Sequence, residues 1–265
     1  MLLIGILYFF IILIVISTSA IAGISGGVVL RPVFDLIGYH DVLEIGFYMG
    51  IAVITMTISS TIKQIRMGTK IKVDKSITLA AGAVSGGWLG QTLLEWLATY
   101  INTDAIQMTQ NIFSLIALVF VLVVTRPGVK KFSLTGPHWY VLAGFGLGLF
   151  ASILAIGGGP INVAAFTIIF GITLKEATVY SITTILFTQL SRLTTMGMAP
   201  GGFGRFDLEL LFFIIPAAII GGYVGGKLNV KFSEGQVMKV FKFVVTATIL
   251  INVINTVTFG IGLLN

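Results

Sequence analysis

Two pairs of adjacent glycines and one arginine are the residues here whose types and spacing could do chemistry. Gly26-Gly27 and Gly158-Gly159 each follow an apolar run and precede a shorter one, and Pro160 stands directly behind the second pair. A glycine turn that opens a helix frees backbone N–H groups, and the positive end of that helix dipole favours an anion. Pro160 fits the first helical position, where its missing N–H costs nothing. Pro32 instead places the start of the first-half helix slightly later, near Arg31. Arg31 lies in an apolar stretch, where a guanidinium either faces a cavity or partner or reaches for the surface. Its fork of donors matches the oxygens of an oxyanion, while Asp35 at i+4 is the competing partner.

Hydroxyls and amides crowd two later apolar stretches. The first holds Thr55, Thr57, Ser59, Ser60, Thr61 and Gln64; the second holds Ser181, Thr183, Thr184, Thr188, Gln189, Ser191 and Arg192. Thr55, Ser59 and Gln64 share a helix face, as do Ser181, Thr184, Thr188 and Ser191. Asn162 points from the first turn of the helix behind Pro160. Such groups either coordinate an anion without a fixed charge, or tie helix to helix and bond their own backbone.

The elements that position these groups follow from composition. The chain has 265 residues, of which 56% are apolar and only 10% charged, with no cysteine; its mean hydropathy is +1.04. Soluble chains carry about 25% charged residues. Here the charges fall in short clusters between apolar stretches of roughly 17 to 25 residues, long enough to cross a hydrocarbon core about 30 Å thick. A water-soluble enzyme, a nucleic-acid binder and a disulfide scaffold are excluded. The net charge of +6 reflects Lys and Arg confined to loops, as membrane orientation demands. Without the period-2 alternation of a barrel strand, helices remain as the solution for backbone in lipid. The expected fold class is an all-α polytopic membrane protein, with Met1 to Ala22 read as a first span rather than a signal peptide.

Apolar segments run at about 2–24, 28–38, 44–62, 76–97, 109–125, 139–156, 160–171, 176–196, 208–226 and 238–263. They repeat. Ser25-Gly26-Gly27-Val28 aligns with Gly157-Gly158-Gly159-Pro160 at an offset of 132, and Ser59 with Ser191 at the same offset. Asp74 matches Asp207 at 133, and Gly86-Gly87-Trp88-Leu89-Gly90 matches Gly221-Gly222-Tyr223-Val224-Gly225 at 135. The chain divides into a first membrane repeat at 1–125, a cytoplasmic connector at 126–138 and a second repeat at 139–265.

Ile24-Ser25-Gly26-Gly27-Val28-Val29-Leu30-Arg31-Pro32 and Ile156-Gly157-Gly158-Gly159-Pro160 resemble the two glycine motifs of the sulfite exporter TauE/SafE family, in which each half opens with a span running into such a motif. Arg31 departs from the family's apolar pattern and marks a subgroup. The resemblance implies export of small sulfur-containing anions such as sulfite or a sulfonate, whose oxygens Arg31 would suit. It also implies seven or eight crossings, whereas charge favours ten. With eight crossings the 16 Lys and Arg divide ten to six. With ten they divide thirteen inside to two outside (Arg192 and Arg205), with Arg31 in the membrane. Five crossings per half make the halves an inverted repeat, a secondary-transporter plan with substrate bound near the midplane. Residues 2–38 and 139–171 then form hairpins whose glycine turns are recessed and line a cavity. Approaching from opposite faces, the two turns would clamp one anion between them.

The expected substrate-binding residues are Gly26, Gly27, Arg31, Ser59, Ser60, Gly158, Gly159, Asn162, Gln189 and Ser191. Gly82, Gly86, Gly90, Gly221 and Gly225 have the four-residue spacing of close helix contacts. Trp88, Trp96 and Trp139 read as span ends or packing. Gly146-Leu147-Gly148-Leu149-Phe150-Ala151 matches a dinucleotide fingerprint only formally, having no strand before it. His40 and His138 lie in loops away from carboxylates, so neither a metal nor another cofactor is expected. Asp35, Glu44 and Glu95 are the few carboxylates near spans, which points to potential-driven export from a prokaryotic cell through its cytoplasmic membrane. The partners are a small anion and the bilayer, with a homodimer left open and nucleic acid excluded. A passive anion channel and a permease for another small organic anion are the alternatives. An intramembrane enzyme would need a nucleophile-base pair or metal cluster that the spans do not offer.

Overall fold

Each of the ten apolar segments becomes one helix. The computed structural model describes residues 2–69, 73–126 and 128–262. Among them run α1 (Leu2–Ala22), α2 (Gly27–Ile37), α3 (Val42–Arg66), α4 (Val73–Tyr100), α5 (Thr103–Val124), α6 (Pro137–Ile153), α7 (Gly159–Ile169), α8 (Leu174–Met198), α9 (Leu211–Lys231) and α10 (Glu234–Gly262), with a 3-10 turn at Gly202–Arg205. No strand occurs among the described residues. Helix ends reach beyond the apolar segments where polar side chains cap them. Asp41 accepts from the Leu43 and Glu44 amides while Glu44 folds back to the Asp41 amide, and Thr173 accepts from the Glu176 amide. These bonds satisfy first-turn donors that have no partner inside a helix. The start of α2 differs from the sequence expectation. It begins at Gly27, and Pro32 lies inside it. Ser25 Oγ accepts from the Gly27 amide at 3.1 Å and starts the helix early enough to carry the proline within it.

Five helices are long and apolar enough to cross a membrane: α1, α3, α5, α9 and α10. The segments α2 and α7 have 11 residues each, about 17 Å of helix, and α6 has 17. The longer α4 and α8 are diluted by glycines, hydroxyls and amides.

Those glycines determine the packing. A Cβ on Gly82, Gly86 or Gly90 would run into the Val141, Phe145 and Leu149 carbonyls of α6; from the other side Gly144 and Gly148 meet the Leu79 and Ala83 carbonyls of α4. Gly221 and Gly225 do the same against Leu13 and Ser17 of α1. The first helix of each sequence half therefore lies parallel to the fourth helix of the other, backbone against backbone. Gly222 also meets Met56 and Ser59 of α3, as Gly87 meets Thr188 and Ser191 of α8. With no hydrophobic driving force inside lipid, such close approach and the van der Waals contact it allows are what hold helices together.

Helices α3 and α8 are antiparallel. Gly46 and Gly50 face Arg192 and Leu193 at one end, while Gln64, Gly68, Lys175 and Tyr180 line one cavity at the other. Three apolar clusters form among the described residues. One gathers α1, α3 and α9, a second gathers α4 through α7 with α10, and a small third joins Val42, Leu94, Ile106 and Ala155. Helices α2 and α8 contribute to both large clusters, and α8 also carries a buried row of hydroxyls and amides ending at Arg192.

The glycine contacts predict a sharp contrast. Gly86→Ala places a methyl on the Phe145 carbonyl and lowers the thermal stability of the detergent-solubilised protein by about 1–3 kcal/mol. Gly146→Ala, on the same α6 but with open space around it, leaves stability unchanged or slightly raised.

Candidate anion site

Both glycine turns are buried. The first begins at Gly23, whose φ of +66° is natural for glycine, and a side chain there would strike Thr178 of α8. The second begins at Ala155, which takes the same left-handed conformation at φ +50°, followed by Gly157 at +72° and Gly158 at +80°. Ala155 stands 132 residues after Gly23, so the left-handed residue that opens the turn recurs, once without glycine; beyond it the turns differ, Gly26 taking φ −60° where Gly158 takes +80°. An alanine there is strained by roughly 1–2 kcal/mol.

The two turns meet. A Cβ on Gly27 would lie 3.1 Å from the Ile156 carbonyl oxygen, and one on Gly159 would lie 2.6 Å from the Ser25 nitrogen. One on Gly157 would overlap the Ser25 hydroxyl and come within 2.9 Å of Gln189 Nε2. The turns thus come together as the sequence suggests, but close directly on each other around Ser25, where the sequence reading placed an anion. Only the missing side chains let two backbones approach this far. Gly159 bonds back to the Gly157 carbonyl at 3.0 Å, while the amides of Ser25, Gly26, Gly157 and Gly158 donate no hydrogen bond among the described residues.

Arg31 is buried, and two of its three side-chain nitrogens are bonded. Its Nε bonds both Asp35 oxygens at 3.2–3.3 Å and one terminal nitrogen bonds Gln110 Oε1. Gln110 in turn donates to the Ile153 carbonyl at the end of α6 at 2.6 Å, tying Arg31 to the approach to the second turn. The other terminal nitrogen has no partner. Asp35, the competing partner expected from its spacing, is the one the structure uses.

A second arginine carries more of the site than the sequence indicated. Read as an outside-loop cation, Arg192 lies within α8 and is 1% exposed. Its Nε donates to Gln91 Oε1 at 3.0 Å and NH1 to Gln189 Oε1 at 2.8 Å, while NH2 has no partner among the described residues. Both partners are neutral amides. Because Gln189 offers its oxygen to Arg192, its nitrogen turns toward Gly157, and that nitrogen is also without a partner. Toward the end of α8 the chain of contacts continues: Gln91 donates to Glu95 at 3.1 Å, and Glu95 pairs with Arg205 at 3.3 Å. The signal for Arg192 was present in its place within the apolar segment 176–196 beside Gln189, although the charge count set it with the outside cations.

The remaining expected residues divide. Asn162 is buried beside Gly158 with its Oδ1 unpartnered. The Ser181 and Thr188 hydroxyls on α8 are buried and unpartnered as well. Ser60 is buried but accepts from Gln64 at 3.0 Å. Ser59 and Ser191 lie away from the turns as a matched pair of helix ties, donating to Ile219 of α9 at 2.8 Å and to Val84 of α4 at 2.7 Å. The last-span amides also tie helices or backbone: Asn255 donates to the Pro32 carbonyl at 2.7 Å and Asn252 to the Thr248 carbonyl at 2.9 Å. His40, expected to stand apart from carboxylates, meets Glu44 at 3.2 Å because the cap of α3 folds Glu44 back toward it. No group of three metal-ligating side chains forms among the described residues.

Long apolar helices enclosing buried arginines, amides and free backbone donors are those of a polytopic membrane protein with a polar interior. The chain belongs to the sulfite exporter TauE/SafE family, whose sequence profile matches residues 8–252. No curated protein and no solved structure matches it.

Two substitutions test the strain and charge balance of this region. Ala155→Gly relieves the left-handed alanine and raises stability in thermal unfolding by up to about 1 kcal/mol, net of the added chain entropy. Arg31→Gln leaves Asp35 buried without its cation and costs about 3–5 kcal/mol; adding Asp35→Asn recovers most of that loss.

Proposed function

We propose that this protein exports a small sulfur-containing anion, sulfite or a sulfonate, across a prokaryotic cytoplasmic membrane as a secondary transporter. The observation that supports it best is the contact between the glycine turns, flanked by buried donors that no protein acceptor satisfies. Buried polar groups are almost always hydrogen-bonded, so a cluster of unsatisfied donors argues for an acceptor that comes and goes. The turns part to admit the anion to the free amides of Gly26 and Gly158, with Gly27 and Gly159 leaving room for it, beside Asn162, Gln189 and the free nitrogen of Arg31. Ser60 lies on α3 against Gly226 of α9 and bonded to Gln64, and Ser59 and Ser191 tie the moving helices to their neighbours.

The reading extends to topology. The antiparallel α3 and α8, and the mirrored pairs of α1 with α9 and α4 with α6, support two inverted repeats. The end of α3, the start of α8 and the end of α9 share a cavity of about 470 Å³ that includes Gln64, Lys175 and Asn229. Lys63, Arg66, Lys227 and Lys231 belong to that end, which assigns it to the cytoplasm and makes the cavity the entrance. The Glu95–Arg205 pair guards the far end. An inside-negative potential favours exit of an anion by about 2.3 kcal/mol per charge per 100 mV.

Purified protein in proteoliposomes is expected to release sulfite or methanesulfonate saturably, and faster when the starting compartment is negative. Flux that ignores both voltage and pH gradients would exclude potential-driven export. Because the chain has no cysteine, single cysteines at Gly68 and Lys231 report topology directly. Labelling of both from the cytoplasmic side is expected, and labelling from opposite sides would refute the inverted repeat.

A further inference from the structure

We infer that Arg192 is the anchor of the transported anion and that the site takes an oxyanion carrying a single negative charge, a sulfonate or hydrogen sulfite rather than a dianion. This rests on the export reading above and specifies its substrate class. The inference follows from counting charges in the buried seam. Arg31 is answered by Asp35, and Arg205 by Glu95 nearer the surface. Arg192 alone has no carboxylate of its own among the described residues: it is 1% exposed, its bonds go to Gln91 and Gln189, and its NH2 is free. A buried cation left unmatched is strongly unfavourable. One negative charge brings the seam to neutrality; a second would leave the same problem with the opposite sign.

Geometry agrees with charge. Arg192 holds the Gln189 oxygen, and that bond aims the Gln189 nitrogen at Gly157. The free Gln189 nitrogen therefore flanks the second glycine turn, whose Gly157 and Gly158 amides donate no hydrogen bond among the described residues, and the free Arg192 NH2 lies one α8 turn further on, beside Gly46 of α3. Three oxygens around one sulfur can be met by a guanidinium N–H, an amide N–H and a backbone N–H without any further cation. The two closed ion pairs add no net charge, so the selectivity belongs to Arg192.

The test uses the purified full-length protein and two probes of fixed charge, methanesulfonate and sulfate, titrated at constant ionic strength with binding read by calorimetry. The wild type is expected to bind methanesulfonate at least about tenfold more tightly than sulfate. Arg192→Gln is expected to lose methanesulfonate binding, and Arg192→Lys to keep the preference with weakened affinity. Sulfate binding as tight as methanesulfonate, or unchanged methanesulfonate binding in Arg192→Gln, overturns the inference. Should Arg192→Gln fail to fold, the wild-type preference and Arg192→Lys decide it alone. Sulfite flux in proteoliposomes separates this inference from the export reading: flux that persists in Arg192→Gln removes Arg192 as anchor and leaves export standing, whereas wild-type liposomes that move neither sulfite nor methanesulfonate remove both.

Discussion

A guanidinium kept from water has to be answered by something, and in this protein two are kept from water, on α2 and on α8. One is answered within the chain, Arg31 by Asp35. The other is surrounded by amide oxygens that solvate it without neutralising it. Much of the architecture follows from housing that second charge. Helix α8, which carries it, gives side chains to both large apolar clusters while burying a row of polar groups. The glutamines on α4 and α8 are fully used on their oxygen side, and the glycine turns bring bare backbone donors to the same level.

The second constraint is steric. Bringing two turns from different halves into contact requires backbones to approach without side chains, and each turn supplies glycine on the side that faces the other. Where contact is with a helix instead, small hydroxyl residues such as Thr178 replace bulk. The same logic recurs along α4 and α9, where glycines at every fourth position admit a neighbouring carbonyl. Ser59 and Ser191 then fasten the helices that this packing aligns.

Much of this was legible in the sequence, because membrane helices announce themselves by length and apolarity and because duplication repeats its punctuation. All ten segments, the packing role of the glycine ladders and the pairing of Arg31 with Asp35 could be read from spacing. What could not be read were contacts between residues far apart in the chain. Arg192 was read within a helical segment yet counted with the outside charges; only the approach of Gln91, 101 residues away, shows that it is enclosed. Ser59 and Ser191 looked like ligands because a hydroxyl on a helix face carries no mark of whether it meets a solute or a carbonyl. Pro32 suggested a late helix start because proline usually opens a helix, and the serine cap that starts α2 earlier is only a single hydroxyl.

The parallel packing of α1 on α9 and of α6 on α4 has a consequence for motion. Each of these tight seams joins one sequence half to the other, so neither half can swing as a unit without tearing its closest helix contacts. Whatever rocks during a transport cycle must be a composite bundle stitched from both repeats, with the hinge lines running through the halves instead of along the connector between them.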